Sequence, residues 1–165
     1  MKNYSLVKYE TKHSRVMAYR DRKEFEYLMN LNPYTLDNRE GYTILDFEGT
    51  PICFLLWGEL TPATIIVNFF PSIFIDHLWC TEIRKLMNAV VKELQNKYIR
   101  IEATVDCNSP RNIRFAKKTF EMEIEGIAEN YDGYNRPFYH MAWIKEGLTD
   151  QKFPGPELCS ECEKA

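Results

Sequence analysis

Apolar positions along this chain change period several times, and each change marks a predicted element. Across 80–96, Ile83, Leu86, Met87, Val90 and Leu94 form one stripe at helical spacing, with Lys85, Lys92 and Glu93 on other faces. Residues 99–105 alternate apolar and polar, the pattern of a half-buried strand. A strand ahead of that helix would run parallel to 99–105, joined to it by a right-handed crossover. Such a strand is predicted over 63–70, interrupted by Pro71 and continued at 73–75. Before it, 42–47 and 51–57 read as a hairpin around the Gly-bearing turn 48–50, and the unbroken apolar run of 51–57 implies burial on both faces.

The flanks are shorter signals. Residues 14–20 are mixed and predict a short first strand. Asp21 and Glu24 have capping-box spacing for a helix that presents Phe25, Leu28 and Met29 and closes at Asn32-Pro33. Downstream, Asn108 or Ser109 can cap a short helix with Pro110 in its first position, and Ile113, Ala116 and Phe120 line one face. Strands are expected at 123–129 and 136–144, on either side of the turn signal Asp132-Gly133. Beyond Lys145 the chain turns polar and Pro/Gly-rich, so the expected organisation is one domain over 1–147 and a loose tail over 148–165.

Composition narrows the classes. The 165 residues are 45% hydrophobic and 27% charged, ordinary for a globular domain, and the 14% of aromatics read first as core and second as a binding surface. A net charge of −3 gives no overall pull toward nucleic acid or anionic membrane, and no nucleic-acid reader motif is present. No apolar stretch reaches membrane-spanning length and no signal-peptide pattern follows Met1, which predicts a cytoplasmic protein. Cys53, Cys80 and Cys107 lie in structured stretches and read as reduced thiols. Cys159 and Cys162 make a C-x-x-C without a second pair at zinc-ribbon spacing, so no metal is expected.

The predicted fold is α/β: a mixed, mostly antiparallel sheet with a central parallel strand pair and flanking helices. Over about residues 10–146 this order resembles the GCN5-related N-acetyltransferase superfamily. The local text is similar too. Members often carry an Asn that starts a helix after the fifth strand, a Tyr seven residues on, Gly-Phe four and five beyond it, then Glu-Gly before the last strand pair. Here Asn108 is followed by Phe115 at +7, Thr119 at +11 and Phe120 at +12, then Glu125-Gly126, Gly133 and Met141. Residues 82–86 (Glu-Ile-Arg-Lys-Leu) and 112–115 (Asn-Ile-Arg-Phe) also resemble acetyltransferase-like internal virion proteins of short-tailed phages. That narrower resemblance would imply a place in the particle or the host cytoplasm and a protein partner there.

The superfamily resemblance implies acetyl-CoA as cofactor and an amine on a protein or small molecule as acceptor. The implied cofactor-binding positions are Phe74, Ile75, His77, Leu78, Trp79, Cys80, Thr81, Asn108, Arg111, Phe115 and Lys117. Backbone near Phe74 or Ile75 would polarise the thioester carbonyl. Arg111, Arg114, Lys117 and Lys118, with Arg136 farther on, could grip a phosphate, form a solvated face, or meet an acidic partner or nucleic acid. Candidate general bases are Asp76, Glu59 and His140, though Asp76 also reads as a helix cap, His140 as an ordinary strand residue and Glu59 as a solvated strand end.

Two positions depart from the family pattern. The turn that carries glycines for the pyrophosphate reads Asp76-His77-Leu78-Trp79-Cys80-Thr81, with no Gly. Phe115 stands where members carry the Tyr that protonates the departing thiolate. Both an acetyltransferase and a non-catalytic interaction protein of the same fold are therefore open, and enzyme status is left undecided at this point.

Overall fold

A computed structural model describes residues 4–20, 39–75, 81–129, 131 and 136–147. In chain order its elements are β1 (Ser5–Lys8), α1 (Thr11–Val16), β2 (Glu40–Leu45), β3 (Pro51–Thr61), β4 (Thr64–Pro71), α2 (Thr81–Lys97), β5 (Arg100–Asp106), α3 (Pro110–Thr119), β6 (Glu123–Ala128) and β7 (Phe138–Ile144). The expected helix after Asp21, the turn at Asp132-Gly133 and the segment 148–165, with its Cys159 and Cys162, lie outside the described residues.

The strands form one sheet in the order β1-β2-β3-β4-β5-β7-β6. Every pairing is antiparallel except β4 with β5. That single parallel contact follows from the crossover through α2, whose length allows the chain to return to the same end of the sheet. β3 is the spine. Pro51 through Trp57 are all buried, as their unbroken apolar run requires of a strand covered on both faces.

Side-chain alternation divides the interior in two. Cys53, Leu55 and Trp57 of β3 join Ile65, Val67, Ile101, Val105 and Met141 beneath the apolar stripe of α2, from Ile83 to Leu94, and beneath Ala116 of α3. On the opposite face Phe54, Leu56 and Phe70 pack with Met17, at the end of α1. The Phe54 and Phe70 rings stack at 4.8 Å. Burial of each such side chain is worth about 1.5–3 kcal/mol, so the two faces of β3 contribute jointly to the fold.

Two expectations fail, each for a local reason. The predicted strand at 14–20 is instead the helix α1 followed by a single bridge, Tyr19 to Ser72. The first strand is Ser5–Lys8, which has β2 as its partner. Glu10 starts α1, and the His13 imidazole reaches back to accept the Glu10 N–H through Nδ1 at 3.1 Å. The expected continuation of the fourth strand through 73–75 is also absent. β4 ends where Pro71 meets Cys53: Ser72 N–H still bonds the Ile52 carbonyl at 2.9 Å, but Ser72 also bridges Tyr19 and the Ile73 N–H goes to the Ala18 carbonyl at 2.8 Å. Ile75 N–H then turns back onto the Ser72 carbonyl at 3.2 Å.

Candidate active site

The central parallel pair supplies the site. β4 and β5 are paired at Thr64 with Arg100, Ile65 with Ile101 and Ile66 with Glu102, and no parallel pair follows. β4 runs on to Pro71 and β5 to Asp106, so the strands part into a wedge after Ile66. Past that point β4 stays on β3 and β5 stays on β7, so each strand follows a different neighbour.

Two spaces meet at the wedge. An outer cleft of about 730 Å³ lies on the side of α2 and α3. Arg84 and Asn88 of α2 line it, with Arg111, Asn112, Arg114, Phe115, Lys118 and Thr119 of α3, and Phe69, Ile75 and Arg20 complete the lining. Among the described residues its lining holds five cations and no carboxylate. Helical geometry explains the selection: residues 111, 114, 115 and 118 share a face, whereas residue 117 is turned about 100° from 118. An inner chamber of about 60 Å³ lies between the parted strands. Val67 to Phe70 line one side and Ala103 to Asp106 the other, with Asn112, Phe115, Ala116, Phe120 and Met122 closing it.

Phe69, Asn112 and Phe115 line both spaces and so form the neck between them. The Phe69 and Phe115 rings stack at 4.2 Å, with Phe120 set edge-on to Phe115 at 5.9 Å. Asn68 lines the chamber, and its Nδ2 is buried with no hydrogen-bond partner among the described residues. Buried polar groups are nearly always paired, so an orphaned amide in a wedge is a marked feature. Asp106 is engaged: one carboxylate oxygen accepts the Asn108 N–H at 2.8 Å and the other meets Arg136 at 3.1 Å.

The candidates from sequence are distributed unevenly. Ile75, Arg111 and Phe115 line the cleft. Phe74 is exposed just outside β4, Thr81 is the exposed first residue of α2, and Asn108 is exposed in the turn before α3. None of those three, nor Lys117, lines either space. Arg136 serves Asp106 rather than the cleft. Asp76, His77, Leu78, Trp79 and Cys80 lie outside the described residues.

Glu59 is remote from the wedge. It sits opposite Ile65, where β4 and β5 are still paired, accepts the Tyr98 hydroxyl at 2.7 Å and meets Lys97 at 3.6 Å. His140 is better placed. It pairs with Thr104, a chamber residue, on the face away from α2 and α3. It is exposed there, and its ring meets Tyr131 edge-on at 6.1 Å. Beside it, Arg100 holds Glu125 in a two-point pair and takes Glu102 at 2.6 Å. The Arg100 bonds push the Glu125 carboxyl below its ordinary range, and Glu125 raises the guanidinium in turn.

Sequence reasoning missed Arg20, Asn68, Arg84 and Asn112. They come from the segment after α1, from β4, from α2 and from α3, and no local motif joins them.

Comparison with solved structures places the fold. The chain superposes on Ard1 of Thermoplasma volcanium with a TM-score of 0.63 at 16% identity, covering 86% of this chain and 97% of that one. A spermidine N-acetyltransferase SpeG chimera from Vibrio cholerae and hSSAT gives 0.63 at 13% identity, covering 90% and 99%. Vibrio cholerae SpeG, a spermidine/spermine N-acetyltransferase solved with manganese ions, gives 0.59 at 14%, covering 91% and 97%. No sequence-family model and no curated protein matches the chain. The architecture is that of the GCN5-related N-acetyltransferase fold: a mixed, mostly antiparallel sheet with one parallel pair and flanking helices.

Proposed function

We propose that this chain binds acetyl-CoA in the cleft and transfers its acetyl group to an amine presented from the opposite face of the sheet. The observation that carries the reading is the wedge after Ile66 with a cation-lined cleft opening directly onto it. A polyphosphate ester with a narrow thioester arm suits that pair of spaces. Arg84, Arg111, Arg114 and Lys118 would hold phosphate oxygens. The orphaned Asn68 Nδ2 fits a carbonyl oxygen of the arm. Bound there, acetyl-CoA supplies an activated acyl carbon and a thiolate leaving group.

The remaining chemistry falls to the chain. The parted backbone of β4 orients the arm and excludes water, so positioning contributes much of the rate. His140 takes the proton of the attacking amine, directly or through one water. Phe115 has no proton to give, so a water supplies the departing sulfur. Spermidine is the acceptor named for one structural neighbour, and polyamines therefore head the amines to be tried. The experiment is release of free thiol from acetyl-CoA in the presence of polyamines and lysine peptides, for the native chain and His140→Ala. Acceptor-dependent release that falls about 100-fold in the variant is the expected result. Absence of release with every amine would reject transfer.

A second reading draws on the Phe69–Phe115 stack, which narrows the neck, and on the chamber's modest size. It keeps the fold as a protein-binding scaffold without catalysis, in line with the phage resemblance. It predicts that acetyl-CoA leaves the chain's melting temperature unchanged.

A further inference from the structure

Residues 17–20 run across the end of β4. Ile73 N–H bonds to the Ala18 carbonyl at 2.8 Å, Tyr19 bridges Ser72, and Arg20 N–H bonds to the Pro71 carbonyl at 3.1 Å. The Tyr19 hydroxyl donates to the Ser14 carbonyl at 2.6 Å while its ring stands edge-on to Phe54. The Arg20 backbone is thereby fixed to one lip of the wedge.

Its side chain reaches the other lip. Arg20 Nη2 donates to Asn112 Oδ1 at 2.5 Å, a contact between residues 92 apart in sequence. Arg20 lines the outer cleft, and Asn112 lines both cleft and chamber. The Arg20–Asn112 bond therefore ties a cleft residue to the neck. An extended ligand with its anionic end in the cleft and its tip in the chamber must pass it. The Asn112 oxygen is a neutral amide acceptor, and a guanidinium bonds more strongly to a phosphate oxygen than to an amide. The backbone is already in position, so a phosphate oxygen in the cleft can take the place of the Asn112 amide by side-chain movement.

We propose that Arg20 is an anion-binding residue of the cleft, releasing Asn112 to bind a phosphate oxygen of the ligand at the neck. It rests on the reading of the cleft as a polyphosphate site and adds a residue from outside the helices. Asn112 is then a partner that competes with the ligand, so its removal has the opposite sign to removal of Arg20.

The test is calorimetric titration of the full chain with inorganic pyrophosphate and, separately, with acetyl-CoA. Arg20→Gln should weaken both by about tenfold, Arg20→Lys should weaken them less, and Asn112→Ala should leave affinity unchanged or tighter. Equal weakening in Arg20→Gln and Asn112→Ala overturns the proposal, since it is the mark of a purely structural clasp. Native affinity in Arg20→Gln also overturns it, while leaving the cleft's cofactor reading intact. Arg20-dependent pyrophosphate binding without acetyl-CoA binding upholds Arg20 and rejects that reading. Failure of the native chain to bind either probe rejects both. If Arg20→Gln does not fold, Arg20→Lys and Asn112→Ala still give the two opposite signs.

Discussion

Replacing Asn68 by Leu tests whether the wedge is built for a ligand at the expense of stability. Asn68 Nδ2 is buried between the parted strands without a partner among the described residues. An unmet buried donor costs about 1–3 kcal/mol, whereas an apolar group of similar branching carries no such cost. Leu is somewhat larger, and the adjoining chamber of about 60 Å³ between β4 and β5 can take the excess. Net stabilisation should be about 1–2 kcal/mol. For a chain of this length that raises the melting temperature by roughly 3–6 °C. Thermal unfolding followed by circular dichroism reads this directly. The same variant should lose acetyl-CoA affinity, because the amide N–H that would donate to the arm's carbonyl is gone and the chamber is filled. Asn68→Ala serves as a control, since it removes the amide but leaves a larger void and should stabilise less. A drop in melting temperature for Asn68→Leu would refute the reasoning, because it would mean that the amide is satisfied in the folded protein.

Three further outcomes follow from other parts of the structure. Phe115→Tyr keeps the ring stacked on Phe69 and adds a hydroxyl at the neck, so kcat should rise about tenfold or more with little change in KM, as steady-state rates would show. His13 is buried, and desolvation places its imidazole below the ordinary 6.5. Its Nδ1 already accepts the Glu10 N–H and contacts the Thr43 hydroxyl at 3.0 Å. The unfolded chain therefore takes up a proton first as pH falls through about 6.5. Stability should be full above that pH and decline as pH falls toward the lower folded value, and a His13→Asn variant should have a flatter melting-temperature profile between pH 7.5 and 5. Glu121 has φ of 58° just past α3, where Met122 N–H closes onto the Ala116 carbonyl at 3.2 Å. Glu121→Gly should stabilise by up to about 1 kcal/mol in urea unfolding, since only glycine occupies that region without strain.

Much of the architecture is written in local periodicity. The stripe from Ile83 to Leu94, the alternation of β5 and the Pro110 start of α3 each arise from neighbours in sequence, and all three appear within a residue or so of expectation. α1 is not legible in the sequence because its start depends on His13 reaching back to Glu10, an arrangement with no common sequence signature. β4 is shorter than its apolar run suggests because the 17–20 segment takes up residues 72 and 73, a partner held far away in the sequence.

The site is less legible for a related reason. The cleft face of α3 could be seen as a basic cluster, but helical phase admits Lys118 and leaves Lys117 out. Arg20 and Asn68 carry no motif at all. Their importance comes from β4 leaving β5 after Ile66, and nothing in the alternation of either strand announces that parting. Glu59 and His140 looked alike as candidates, and only sheet register separates the paired end of the wedge from its open one.

The central claim is that the cation-lined cleft holds acetyl-CoA. Calorimetric titration of acetyl-CoA into the native chain, beside an Arg114→Ala/Lys118→Ala double variant, tests it most directly. The account predicts micromolar binding that weakens about 100-fold or more in the variant, as loss of two phosphate-directed cations requires. Native binding undiminished by the double substitution, or no heat at millimolar acetyl-CoA, would contradict it.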